Sequence, residues 1–187
     1  LALLDQLAST LATSTDLDTI LENGLSQLMD YLRLEVSEIY LHLADSPSLF
    51  LKIHHGEAVK TLWKQEHYNI GEGTVGRVAQ NGNPVVLNIT ENEYADLNPE
   101  TGLKGIHQIA VLPMNGRLGV LGVLCVATCH PQPLDDLEVQ FLQAIGSWVA
   151  TAIENVHLND QGRRLAVLEE RDRIGMDLHD GIIQSIY

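Results

Sequence analysis

Three groups of residues in this 187-residue chain have the types and spacings that do chemistry. The first is His179, with Asp180 beside it and Gln184 four residues further on. A neutral imidazole can attack a phosphoryl group, and a carboxylate on its other ring nitrogen fixes the tautomer and raises its nucleophilicity. At helical spacing Asp180 and Gln184 share one face, where the Gln amide could orient a water. Taken alone, the same residues also read as a solvated, charged helix face. The second group is Gly71-x-Gly73-x-x-Gly76, which matches the dinucleotide-binding fingerprint letter for letter, with Glu91 near the position of the ribose-binding acid. Its context argues for a structural turn instead. Residues 64–69 are too polar for a buried parallel strand, and the helix that follows has about two turns, short for a crossover unit of about 30 residues. The third group is Cys125 and Cys129, four apart and on one face if a regular strand carries both. Two ligands are too few for zinc or an iron–sulfur cluster, so no metal is expected. The pair reads as small buried thiols, with a redox pair as the sharper alternative.

The elements that must position these residues follow from periodicity. Residues 1–11 have helical spacing, with Leu4, Leu7, Ala8 and Leu11 on one face. Thr13 to Asp16 offer N-cap oxygens, and Leu17, Ile20, Leu21, Leu25, Leu28 and Leu32 predict a second amphipathic helix over 16–32. The period then drops to two. Val36, Glu38, Tyr40 and His42 alternate with Ser37, Ile39, Leu41 and Leu43, and residues 49–54 form the return strand of a hairpin. After the glycine segment, Gly82 is a helix stop and Pro84 to Leu87 a short extended piece. Residues 88–105 are polar and contain Pro99 and Gly102; a loop of that length is expected to be functional, as a lid over a ligand. Ile106–Met114 and Arg117–Thr128 are strands joined at Asn115-Gly116, and the second, apolar on both faces, belongs in the middle of its sheet. From Leu134 onward no proline interrupts the chain. A helix started by Asp135, Asp136 and Glu138 is expected to run to the end, about 50 residues and roughly 75 Å. One small domain cannot cover such a helix, so its second half calls for the same helix of a second copy. Leu158, Gln161, Leu165 and Leu168 fit one heptad phase, Asp172 and Gly175 break it, and Ile174, Leu178 and Ile182 begin another, which is a stutter.

Composition bounds the function. Apolar residues are 45% and charged residues 19%, the balance of a folded domain. Eleven Lys and Arg against 25 Asp and Glu give a net charge of −14, which disfavours nucleic acid and anionic membranes as partners. The longest apolar stretch, Leu118 to Ala127, is about half of the roughly 20 residues of a membrane span. With two cysteines there is no disulfide framework, and a reducing, cytoplasmic location is expected. The start at Leu1 and the stop at Tyr187 inside an apolar run are expected of a piece of a longer protein.

Several of these words together resemble a known family. Ile70-Gly-Glu-Gly-Thr-Val-Gly-Arg-Val-Ala-Gln-Asn-Gly-Asn-Pro-Val-Val-Leu is similar to the central signature of GAF domains. So are Ile109-Ala-Val-Leu-Pro-Met, Gly116-Arg-Leu-Gly-Val-Leu-Gly-Val-Leu and Ala152-Ile-Glu-Asn-Val-His-Leu. The resemblance covers residues 1–158 and implies an α+β fold: a six-stranded antiparallel sheet flanked by helices, with a ligand pocket under loops. GAF domains sense small molecules, bind chromophores or haem, or dimerise. A haem-binding one would need an apolar-flanked pocket histidine, for which His107 is the best placed, although a hydrogen-bonded structural histidine is the plainer reading. Trp63 and Trp148 read as packing rather than a ligand cage. The cysteine that attaches a bilin in phytochrome-like GAF domains precedes a histidine in a pocket helix; Cys129 is followed by His130, but neither cysteine has that helical context. Some GAF-fold proteins are free methionine sulfoxide reductases with nucleophilic cysteines on pocket loops, which fits poorly with Cys125 inside a strand.

The C-terminal word, Glu170-Arg-Asp-Arg-Ile-Gly-Met-Asp-Leu-His-Asp-Gly-Ile-Ile-Gln-Ser-Ile, resembles the phosphoacceptor box of sensor histidine kinases of the nitrate/nitrite-sensor type. Gly175 stands where that pattern usually has Ala. The resemblance implies that His179 is phosphorylated from ATP, that Asp180 is its base, and that Gln184 assists dephosphorylation of a response regulator. The expected organisation is a sensory domain over 1–158 and the truncated start of a dimerisation and phosphoacceptor domain over 159–187. The expected partners are a second copy, a response regulator and the ATP-binding domain of the parent chain, which would handle ATP and Mg. The signal itself is not legible, and the alternatives are a stand-alone binding or dimerisation module or a sulfoxide reductase.

Overall fold

A computed structural model of the chain describes residues 17–42, 46–57, 59–89, 95–117 and 119–184. The helix expected over 1–11 lies outside the described residues. Two compact units divide at Ala152 and Ile153.

The first unit is built on a six-stranded sheet. Helix α1 (Leu17–Leu32) leads into strands β1 (Val36–His42), β2 (Ser48–His55) and β3 (His67–Asn69). Helix α2 (Gly73–Asn81), strand β4 (Val85–Asn88), the short helix α3 (Pro99–Leu103) and strands β5 (Gln108–Asn115) and β6 (Val120–Thr128) follow. Helix α4 (Asp136–Gln184) closes the described chain. The order across the sheet is β3-β2-β1-β6-β5-β4, and every pairing is antiparallel. β6 lies between β1 and β5, as its two apolar faces require, because neither face of an inner strand meets water. β3 is a three-residue edge strand, which suits its polar sequence and leaves no parallel β-α-β unit around the glycines.

One face of the sheet is closed by helices. Leu21, Leu25 and Leu28 of α1, Leu142, Ile145 and Val149 of α4, and Ile39, Met114 and Leu124 of the sheet are all buried. A void of about 10 Å³ lies among Leu21, Leu28, Ile39, Leu124 and Ile145, at the lower limit of what one water needs. α4 opens on a reciprocal cap. The Asp135 carboxylate accepts the Glu138 N–H at 2.7 Å, and the Glu138 carboxylate accepts the Asp135 N–H at 2.9 Å.

Two elements differ from the sequence reading. Asn115 stays in β5 opposite Val120, and the hairpin is closed by Gly116, whose N–H donates to the Gly119 carbonyl. The Asn-Gly pair is therefore not itself the two-residue turn. The segment after β4 is also not all loop: Asn98 caps α3, its side chain accepting the Glu100 N–H at 3.1 Å, with Pro99 at the first helical position. Among the described residues, no helix is long and apolar enough to cross a membrane.

Candidate functional site

The opposite face of the sheet is covered by chain rather than by long helices, and polar residues collect there. Residues 59–66 cross it between β2 and β3, placing Val59, Leu62 and Trp63 against Tyr40, Ile109, Val123 and Cys125. A second segment, 95–106, locks the first in place. The Leu62 carbonyl accepts the Asn98 N–H at 2.9 Å and the Thr101 hydroxyl at 3.1 Å. Lys64 N–H donates to the Asp96 carbonyl at 3.0 Å, and Trp63 bridges to Leu97. The Asp96 carboxylate in turn accepts the Thr74 N–H in the first turn of α2.

The glycine signature positions that helix. A Cβ on Gly76 would overlap the Asn69 carbonyl oxygen, so only glycine lets α2 pack this close to β3. Gly82 ends the helix at φ 66°, a left-handed cap with its N–H bonded to the Val78 carbonyl. The fingerprint glycines are thus turn and packing residues.

Beneath the two segments lies a carboxylate that shares its face of β1 with Val36 and Tyr40. Glu38 is fully buried. Its Oε1 accepts the Leu62 N–H at 2.7 Å and lies 2.9 Å from His54 Nδ1, its cross-strand neighbour on β2. His54 Nε2 lies 3.0 Å from the Gly56 carbonyl. The hydrogen bond from Glu38 raises the His54 pKa above 6.5, against the opposing effect of burial. The Tyr40 hydroxyl reaches the Gln65 carbonyl at 3.2 Å and stands 3.5 Å from Glu38 Oε2. Burial pushes the Tyr40 hydroxyl far above the usual tyrosine range and that of Tyr68 up to about 12, so both are neutral donors. The rings of Tyr40 and Tyr68 meet edge-on at 6.0 Å. Outside this buried cluster, an open cleft of about 490 Å³ runs past His54, Gly56, Glu57, Lys60, Glu100 and Lys104.

Cys125 lies in β6, opposite Glu38, and is fully buried. Burial and the nearby Glu38 push its thiol well above its ordinary range, which makes it an inert thiol rather than a nucleophile. Cys129 falls just past the end of β6 and is half-buried, its N–H donating to Glu35 Oε2 at 2.7 Å. Trp63 is fully buried in the covering loop. His107 is exposed, and its contribution is backbone: its N–H donates to the Thr128 carbonyl and its carbonyl accepts the Ile89 N–H. It does not line the cleft.

His179, Asp180 and Gln184 belong to a different region. All three lie within α4, in the unit that begins at Ile153, and their side chains lie outside the described residues. That unit carries exposed apolar side chains at Leu158, Leu165, Val167 and Leu168.

Comparison with known proteins fits this architecture. The sequence matches the family profile described as GAF domain over residues 14–154, and the chain belongs to that family. The sensor histidine kinase YhcY of Bacillus subtilis is 24% identical over 190 residues, an alignment that covers 98% of this chain and 50% of that protein. The chain therefore spans about half the length of that protein. Among solved structures, the GAF domain of a phosphoenolpyruvate-protein phosphotransferase from Acinetobacter superposes with a TM-score of 0.69 at 24% identity, covering 84% of this chain and 93% of that one. The free methionine-R-sulfoxide reductase from Neisseria meningitidis, in complex with its substrate, gives 0.68 at 20% identity, covering 84% and 89%. At these identities the likeness is one of fold.

Proposed function

We propose that this chain is the sensory and dimerisation segment of a two-component sensor histidine kinase. In this reading the loop-covered face of the GAF domain receives a small-molecule or redox signal and passes it to His179. The observation that carries the reading is α4 itself. One helix starts on the Asp135–Glu138 cap, forms part of the domain, and continues without a break through the His179-Asp180…Gln184 word. The exposed Leu158, Leu165 and Leu168 sit at heptad positions, which supports pairing with the same helix of a second copy. The alignment of almost the whole chain with a sensor histidine kinase supports the same assignment.

The chemistry follows from residue types. His179 takes the phosphoryl group, Asp180 orients the imidazole and accepts its proton, and Gln184, one turn on, positions the water that hydrolyses the phosphorylated response regulator. ATP and Mg belong to the ATP-binding domain of the parent chain, and a response regulator accepts the phosphoryl group. The stutter between Leu168 and Ile174 gives the paired helices two alternative registers, through which the domain would move His179 toward or away from ATP.

The test is phosphotransfer. The chain, mixed with the ATP-binding domain of a histidine kinase and γ-labelled ATP, should acquire label that His179→Gln abolishes. Equal labelling of the variant, or no label where a known phosphoacceptor fragment takes it from the same domain, would sink the kinase assignment in favour of a binding module. Crosslinks along 158–182 that show one register in every state would remove the switch.

A further inference from the structure

We propose that one proton, held between Glu38 and His54, latches residues 59–66 over the sheet, so that the loop-covered face opens as pH rises. The inference rests on the reading of that face as the sensory one.

The hydrogen-bond pattern requires the proton. His54 Nε2 faces the Gly56 carbonyl, which can only accept, so Nε2 carries a hydrogen. His54 Nδ1 faces Glu38 Oε1 at 2.9 Å, so a second hydrogen must lie between them, on the ring or on the carboxyl. Without it, a ring lone pair points at a fully buried carboxylate. The same Oε1 also holds the loop, through the Leu62 N–H at 2.7 Å. One oxygen therefore ties β1 to β2 and to the covering segment.

The surroundings leave the latch little other compensation. From β1, the Tyr40 hydroxyl stands 3.5 Å from Glu38 Oε2. From β6 comes the Cys125 thiol, from β3 the Tyr68 hydroxyl, and both are pushed up and stay neutral. From the second covering segment comes Asp96, whose carboxylate is already bonded to the Thr74 N–H. Toward the cleft stand Glu57, Lys60, Glu100 and Lys104, and the ion pair formed by His54 is the one with Glu38. Loss of the shared proton leaves Glu38 as a buried charge without a counter-charge, a state relieved by lifting the loop and admitting water.

The sign follows from linkage. The His54 pKa is raised above 6.5 in the closed state, by its bond to Glu38. A histidine released to solvent has its ordinary affinity, so the closed form is favoured most below about pH 6.5 and loses that advantage as pH climbs through the raised value.

Trp63 is the built-in reporter. Trp148→Phe leaves it as the only tryptophan of the chain. Acrylamide quenching of Trp63 and hydrogen exchange of residues 59–66, normalised for intrinsic rate, should both rise between pH 5.5 and 8.5. The expected size is about tenfold for each unit by which the His54 pKa is raised. In Glu38→Gln the amide oxygen can still accept the Leu62 N–H, but it carries no charge to hold the proton on His54, so the pH response should flatten. Nuclear magnetic resonance of His54 in the unsubstituted chain should give a pKa above 6.5, a readout that needs no folded variant. A flat response in the parent, the same slope in Glu38→Gln, or a His54 pKa at or below 6.5 would overturn the latch. Each of those outcomes leaves phosphotransfer at His179 untouched, and loss of phosphotransfer leaves the latch untouched.

Discussion

The two faces of the same sheet solve opposite problems. The helix-covered face is sealed by leucine, isoleucine and valine, with a void of about 10 Å³. The loop-covered face is just as buried at its centre, yet it holds Glu38, Tyr40, Tyr68, Trp63 and Cys125, and it borders an open cleft of about 490 Å³. Helices satisfy their own backbone and can offer a wholly apolar surface, whereas loops carry unpaired backbone groups that must find partners. The Leu62 N–H finds Glu38, and the Leu62 carbonyl finds Asn98 and Thr101. A polar interior is thus a consequence of roofing a sheet with loop. In the proposed reading it is also what would let that face respond to a proton or a ligand.

Substitutions test this division in descending order of effect. Trp63→Ala should destabilise the first unit by about 3–5 kcal/mol in denaturant unfolding, because the loop loses its fully buried anchor. A loss below about 1 kcal/mol would mean that the covering loop contributes little to the fold. Leu28→Ala on the helix-covered face should lower stability by about 2–5 kcal/mol. Its loss should be independent of pH, since no titratable group lines that void.

Glu38→Ala should cost about 1–3 kcal/mol at pH 6, since the Leu62 N–H and the His54 ring lose their shared acceptor. That loss should shrink as pH rises past the raised His54 pKa, because the contribution of a histidine held protonated is present at low pH and fades at high pH. A loss that grew with pH would reverse the assignment. Lys52→Ala removes a 2.7 Å ion pair with Asp18 whose side chains are 39% and 58% exposed. It should change stability by no more than about 1 kcal/mol, and less in 0.5 M salt. A larger effect would show that β2 and α1 are coupled through charge as well as through apolar packing.

Much of this fold was legible in the sequence because the signals are local. The change of period from 3.6 to 2 after Leu32 marks the entry from α1 to β1. The two apolar faces of Val120–Thr128 mark the inner strand, and Gly82 marks a helix end. The polar residues before the glycine word ruled out a buried parallel strand there, and they form the edge strand β3. The short helix Pro99–Leu103 was missed, although Asn98 and Pro99 are its cap and first residue, since five residues carry no helical period.

The latch was half legible. Glu38 stands between Val36 and Tyr40 on a strand of period two, a carboxylate on an inward face, which should have flagged a buried charge in need of a partner. His54 carried no comparable mark among eight histidines, whereas His107, singled out for its place after a long loop, turned out to be exposed.

What the sequence determined alone is what depends on neighbours in the chain: the elements, their order, the family, and the continuity of α4 with the histidine word. What only the tertiary structure decided is which distant residues meet. Glu38 pairs with His54 because β1 and β2 are in the register that sets them opposite each other, and Leu62 joins them because the 59–66 segment lies across that pair. Register and loop path depend on the packing of the whole domain, and no local period encodes them.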